Sequence, residues 1–278
     1  MKYRHAFHAG NFADVAKHVA LVAALLRLAE KDRPLFLLDT HAGRGRYEVG
    51  AQGGEAEHGI GRLARAAIAD PHPALSRYLE LVRGLNPDGR ICRYPGSPLI
   101  EAAMMRPGDR GAFCELQGPE ADVLRREFRG DARIGVHLRD GYDALTALVP
   151  PPEKRGLALI DPPYEESDAD FARVAEALVA AAARWPQGVL MAWYPIKQGL
   201  IAARLQRRLV NAGVKRILVA ELCIHPDDSR AGLNGSGIVT INPPWRLEDD
   251  LRRLYPPLHA VLADGGAGRT RVSLLAGE

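Results

Sequence analysis

From residue 13 to residue 28 the apolar positions of ADVAKHVALVAALLRL recur at helical spacing, which predicts an amphipathic helix. Pro34 follows it and disfavours helical backbone at Arg33. The pattern then changes to short, unbroken apolar runs bounded by turn residues. LFLLD (35–39), GAFCEL (111–116), IGVHLRD (134–140), GLALID (156–161), GVLMAWYP (188–195), RILVAEL (216–222) and GIVTIN (237–242) have the length and continuity of strands buried on both faces. Helical stretches such as 119–128 and 169–184 separate most of them, so an α/β fold with a doubly wound, mostly parallel seven-stranded sheet is expected. Between the last two runs, IHPDDSRAGLNGS (224–236) is rich in turn residues and free of helical periodicity, which predicts an antiparallel pair at one edge.

About 70 residues separate the first two runs, far more than one crossover helix needs. Helical stretches at 60–69 and 74–85 fall within that interval. A small helical subdomain inserted at about 50–93, on the strand-carboxyl side of a single domain covering 1–278, is therefore expected.

Composition narrows the class. The 278 residues are 47% hydrophobic, enough for a large core in one domain. No apolar run approaches the roughly 20 residues of a membrane span. The N-terminal MKYRHAFHAG lacks the apolar core of a signal peptide, so a cytoplasmic protein without a membrane partner is expected. Cys92, Cys114 and Cys223 lie far apart and form no C-x-x-C, which argues against a disulfide framework or a zinc site. A formal charge of +3 permits a nucleic-acid partner without requiring one. Arginine far outnumbers lysine, which suits phosphate and base contacts.

Ligands of open α/β sheets sit outside the carboxyl ends of the strands, so residues just past each run are the informative ones. The first run leads into Asp39-Thr-His-Ala-Gly43-Arg-Gly45, whose glycines let backbone approach a ligand. A plain strand-to-helix turn accounts for the same pattern. No G-K-[ST] follows, and Glu48 stands three after Gly45, so neither a phosphate-binding loop nor a dinucleotide fingerprint is present. The second run ends at Glu115, a carboxylate able to accept from both hydroxyls of a ribose. The third ends at Asp140-Gly141, where a side-chain oxygen can receive an adenine amino group. Either acid is equally well explained as a helix cap or, for Glu115, a solvated charge.

LIDPPYE (159–165) is more specific. Asp161 offers a carboxylate, Pro162 a carbonyl in a backbone stiffened by Pro163, and Tyr164 a flat face for a base. The exocyclic amine of adenine or cytosine is a poor nucleophile because its lone pair is delocalised into the ring. Two acceptors that hold both amine hydrogens pull the nitrogen toward sp³ and free the lone pair for attack on a methyl group, and Asp161 or solvent can then take the proton. Asn242-Pro-Pro-Trp245 resembles a related amine clamp, but it follows the last run and is expected to be structural, with Trp245 packed down. Near the N-terminus, Lys17 and His18 are expected to project toward the glycine loop and His41, with Tyr3 and Arg4 near the substrate. His5 and His8 fit either that polar surround or ordinary structural hydrogen bonds. No H-E-x-x-H accompanies these histidines, so no metal is expected.

Taken in order, YRHAFHAGNFADVAKH, LDTHAGRGRY, YPGSPLI, LIDPPYE, WYPI and SGIVTINPPW resemble the RlmJ family of bacterial 23S ribosomal RNA (adenine-N6)-methyltransferases over nearly the whole chain. The resemblance implies a Rossmann-like class I methyltransferase with a helical insertion, S-adenosylmethionine as methyl donor and no metal. It also implies a monomer acting on one adenine of 23S rRNA before ribosome assembly. Carried over by position, cofactor contacts fall on His18, His41, Gly43 in the glycine loop, Ser97, Glu115, Asp140, Gly141 and Asp161. The same comparison makes Asp161 catalytic, within the Asp161, Pro162 and Tyr164 clamp, and places Tyr3 near the target base. Arg44 stands where the family carries a small residue. Two alternatives remain open. An adenine-N6 DNA methyltransferase would share the clamp, although no recognisable DNA-reading segment follows the sheet. A noncatalytic RNA-binding protein would have no use for D-P-P-Y and Glu115.

Overall fold

The computed structural model describes residues 8–49, 55–164, 167–197, 201–230 and 232–276. Helix α1 (Phe12–Ala29) opens on Asn11, whose side chain accepts from the Asp14 N–H over 3.0 Å. The ALVAALL stretch is apolar on every side, and the helix is accordingly buried along almost its whole length instead of turning a polar face to solvent. Its polar residues Asp14, Lys17 and His18 are buried as well.

The chain continues through β1 (Phe36–Asp39), β2 (Arg46–Glu48), α2 (Ile60–Arg65), α3 (Pro73–Gly84), β3 (Arg93–Pro95), α4 (Ser97–Met104), β4 (Arg110–Glu115) and α5 (Gly118–Glu127). There follow β5 (Ile134–Leu138), α6 (Gly141–Leu148), β6 (Gly156–Ile160), α7 (Ser167–Arg184), β7 (Val189–Ile196), α8 (Ile201–Asn211), β8 (Ile217–Cys223), β9 (Gly235–Ile241), α9 (Leu247–Leu262) and β10 (Arg269–Ala276). Eight strands form one sheet in the order β10-β8-β9-β7-β6-β1-β4-β5, and β2 and β3 form a separate antiparallel ribbon. Within the large sheet β9 and β10 run against the other strands.

The sheet thus has one strand more than the seven expected. RTRVSLLA mixes polar and apolar residues instead of running apolar throughout, as befits an edge strand covered only in part. The antiparallel pair β8 and β9 is present, but it lies inside the sheet, because β9 inserts between β7 and β8 and β10 takes the edge.

Helices cover both faces. On one, α1 packs with α9 and with the apolar sides of α2 and α3, where Ile60, Leu63, Leu75 and Tyr78 join its core. Arg27 ties α1 to α9 through two 2.6 Å bonds to Asp250. On the other face, residues of α6, α7 and α8 such as Leu145, Val174, Leu178 and Leu205 pack on the sheet. The order reverses at β1, which has β6 on one side and β4 on the other, so the carboxyl ends of these strands open the crevice where such sheets bind ligands. At the opposite end of the sheet, Asn242 adopts a left-handed backbone (φ 52°) and donates to the carbonyls of Pro186 and Gly188. That turn carries the chain outward, and Trp245, expected to pack down, is 83% exposed. Among the described residues no helix is long and apolar enough to cross a membrane.

Candidate active site

Four acids stand at the carboxyl ends of four adjacent parallel strands: Asp161 just past β6, Asp39 ending β1, Glu115 ending β4 and Asp140 just past β5. Each has acquired different partners.

Asp161 Oδ2 accepts from Lys17 Nζ over 2.6 Å, and the same ammonium donates to Asp14 Oδ1 over 2.7 Å. Asp14 Oδ2 accepts the Gly10 N–H at 3.0 Å. The lysine side chain is 4% exposed and that of Asp161 10%. Burial alone would depress the pKa of Lys17, but the two carboxylates outweigh it and push it up, so the ammonium stays charged. Lys17 was expected at the glycine loop; its partner is instead the D-P-P-Y acid. A signal for this was available in the sequence: Asp14 and Lys17 form an i,i+3 pair in the first turns of a mostly apolar helix.

Tyr164 is half-buried. Its hydroxyl donates to the Trp193 carbonyl over 2.6 Å, and its ring packs on Phe171 and Trp193 at centroid distances of 4.8 and 5.7 Å. Pro162 is buried and Pro163 exposed, so the turn is anchored from below.

The loop after β1 is built around Asp39, which is fully buried and accepts from Ser97 Oγ (2.5 Å) and the His41 N–H (3.1 Å). Burial pushes its carboxyl up to about 7 against the pull of those two donors. Thr40 Oγ1 donates to the Leu159 carbonyl and accepts from Nδ1 of His41, which leaves Nε2 of that ring as an acceptor. Burial pushes His41 down to about 4, so the ring is neutral at physiological pH. Gly43 has φ +61°, and a Cβ on it would stand 2.2 Å from Tyr47 Oη. Its N–H donates to Glu115 Oε2 over 3.0 Å, while Glu115 Oε1 accepts from the Gln117 N–H at 2.6 Å. Arg44 pairs bidentately with Glu120 of α5.

Asp140 caps α6. Its Oδ1 accepts from the N–H groups of Tyr142 and Asp143, and its Oδ2 from Arg173, whose guanidinium lies 4.0 Å from the Tyr142 ring centroid. Burial would raise this carboxyl, but the donors outweigh it and hold it below the usual carboxylate range. Gly141 sits so close to β1 that a Cβ would lie 2.1 Å from the Thr40 carbonyl oxygen. Ser97, His41, Gly43, Glu115, Asp140, Gly141 and Asp161 are therefore brought to one end of the sheet. His18 is set deeper, bonded through Nδ1 to Tyr94 Oη over 2.7 Å. His8 bonds Glu55 at 3.0 Å. Tyr3, Arg4 and His5 lie outside the described residues. Among the described residues no cluster of His, Cys, Asp or Glu is placed to hold a metal ion.

A mostly parallel sheet that reverses about β1, a glycine loop at the end of that strand and D-P-P-Y at the end of neighbouring β6 define a Rossmann-like methyltransferase. The chain belongs to the RlmJ family: the family model described as "Ribosomal RNA large subunit methyltransferase D, RlmJ" matches residues 32–275. It is 39% identical to the Ribosomal RNA large subunit methyltransferase J of Escherichia coli (strain K12) and 38% identical to that of Haemophilus influenzae, in each case over 100% of both chains. A crystal structure of a Legionella pneumophila protein is similar with a TM-score of 0.86 at 30% identity, covering 97% of this chain and 98% of that one.

Proposed function

We propose that this protein methylates the N6 amine of one adenine in 23S rRNA, acting as a cytoplasmic monomer on RNA not yet assembled into the ribosome. The observation that carries the proposal is the turn from Asp161 to Tyr164, fixed from one side by Lys17 and from below by the Trp193 carbonyl. Lys17 occupies Oδ2 of Asp161 and leaves Oδ1 to accept one hydrogen of the amine. The Pro162 carbonyl accepts the other, in a backbone whose proline φ angles are pre-set. Tyr164 lends its ring to the base, which has to leave any helix to reach it. As the N–C bond forms, the amine nitrogen becomes cationic and sheds a proton, for which Asp161 is the adjacent carboxylate.

S-adenosylmethionine, the donor that the methyltransferase family implies, supplies an electrophilic methyl group when bound. The donor and acceptor set at the crevice fits it. Glu115 retains acceptor capacity beyond its two N–H bonds, since a carboxylate has about four lone-pair sites, and would receive ribose hydroxyls. Asp140 would accept the adenine amino group of the cofactor. Neutral His41, Ser97 and the backbone around Gly43 would hold its methionine end, with His18 behind them. Tyr3 and Arg4 are proposed on the RNA side.

The test is transfer of labelled methyl to protein-free 23S rRNA, with duplex DNA and Asp161→Ala alongside, and the modified nucleoside identified by mass. N6-methyladenosine in the RNA, lost in Asp161→Ala, is expected. Label in DNA alone, or at another atom, would overturn the assignment.

A further inference from the structure

Helix α8 carries a surface that methyl transfer itself does not use. Its inner face is fixed: Leu205 and Leu209 are fully buried, and Gln206 donates to Tyr194 Oη (3.0 Å) and to Glu221 (2.9 Å). On the outer face Arg204, Arg207, Arg208 and Asn211 fall at i, i+3, i+4 and i+7, a single stripe, and together line a shallow surface depression. At about 1.5 Å of rise per residue, the three arginines lie within about 6 Å along the axis. Arg204 is anchored by Asp168 Oδ2 at 2.5 Å. Asp168 belongs to the first turn of α7, the helix that follows D-P-P-Y, so the stripe starts at the rim of the methylation site. Among the described residues Arg207 and Arg208 have no carboxylate within ion-pair distance.

We propose that this stripe binds the phosphodiester backbone of the substrate RNA; the inference rests on the RNA-methylation function above. Guanidinium forks match phosphate oxygens bidentately, and a row of them on a rigid helix offers successive contacts without reading bases. Only arginine and asparagine side chains line the depression, with no aromatic or aliphatic residue of the kind that anchors the centre of a protein interface. An RNA held here would enter the site past α7.

The experiment uses the full chain with Arg207→Glu/Arg208→Glu and the milder Arg207→Gln/Arg208→Gln. Binding to a protein-free 23S rRNA fragment, and to an unrelated RNA of equal length, is followed by fluorescence anisotropy over a salt series. Charge reversal is expected to weaken both RNAs about tenfold or more. It should also flatten the slope of log K against log salt by one to two, because each single-strand phosphate contact adds about 0.7. The cofactor dissociation constant should not move. Unchanged affinity and slope, or a loss confined to one RNA, would overturn the proposal, and the neutral pair decides if the charge-reversed chain unfolds. Wild-type methylation of the same fragment separates the two levels. If wild type labels the RNA and the variants bind it equally well, the stripe alone is wrong. If wild type neither binds nor labels RNA, the function falls with it.

Discussion

Lys17 donates to Asp161 over 2.6 Å, joining the first helix to the turn after β6 across 144 residues of chain. The one ammonium is shared by two buried carboxylates, those of Asp14 and Asp161. Lys17→Met therefore leaves two acids without their cation, and truncation of a buried ion pair typically costs about 3–5 kcal/mol. A large fall in melting temperature and at least a hundredfold loss of methyl transfer are expected. Because the pair acts as a unit, Lys17→Met combined with Asp161→Asn should cost clearly less than the sum of the single changes, in urea unfolding and in rate alike. Strict additivity would mean that the two side chains work separately. The raised pKa of Lys17 makes its contribution complete below the unfolded lysine value of about 10.4 and lost only at higher pH, so the lysine adds no pH dependence near neutrality.

Much of this arrangement is legible in the amino-acid order, for a physical reason: strands buried on both faces must be continuously apolar, so LFLLD and GLALID stand out and direct attention to Asp39 and Asp161 at their carboxyl ends. β10 is not legible in the same way, because an edge strand needs only one apolar side. Trp245 departs from the expectation because N-P-P-W says nothing of the left-handed Asn242 that turns the chain outward. The acids at strand ends are visible one at a time, but not their partners. Ser97 on Asp39, Arg173 on Asp140 and Lys17 on Asp161 are contacts between elements distant in sequence, set by packing and not by any local pattern.

The Tyr164 hydroxyl and ring should separate by mutation. Tyr164→Phe loses one hydrogen bond to the Trp193 carbonyl, worth about 0.5–1.5 kcal/mol net, and keeps the ring. Tyr164→Ala also loses the packing on Phe171 and Trp193, for which about 3–5 kcal/mol is typical of aromatic truncation in a core, less here because the ring is only half-buried. Steady-state kinetics should show a small loss of kcat/KM for phenylalanine and a loss of at least tenfold for alanine. Equal losses in the two variants would place the function in the hydroxyl.

At Glu115 the two carboxylate oxygens accept different backbone N–H groups, from Gly43 and Gln117. Glu115→Gln has one oxygen and one NH2, so it sets a donor against one of those donors. The glycine loop should loosen, and the variant should bind S-adenosylmethionine about tenfold or more weakly, equivalent to about 1.4 kcal/mol, in calorimetric titration. Wild-type affinity in this variant would remove Glu115 from the cofactor site.

Asp39 should give the fold a pH dependence of unusual sign. Burial pushes its carboxyl up to about 7, whereas an unfolded aspartate titrates near about 3.9. Over that interval the folded protein holds a proton that the unfolded chain releases. The contribution of this group is therefore complete at the acid end and is lost as pH rises through about 7. His41, pushed down by burial to about 4, acts in the opposite direction and costs stability as pH falls from about 6.5. Asp39→Asn removes the first effect and leaves the second. The unfolding free energy of wild type minus that of Asp39→Asn should thus fall between about pH 5 and about pH 8, measured in urea without ligand. A difference that stays flat over the same interval would mean that Asp39 is already ionised in the folded protein, with Ser97 and the His41 N–H serving a carboxylate instead of a carboxylic acid.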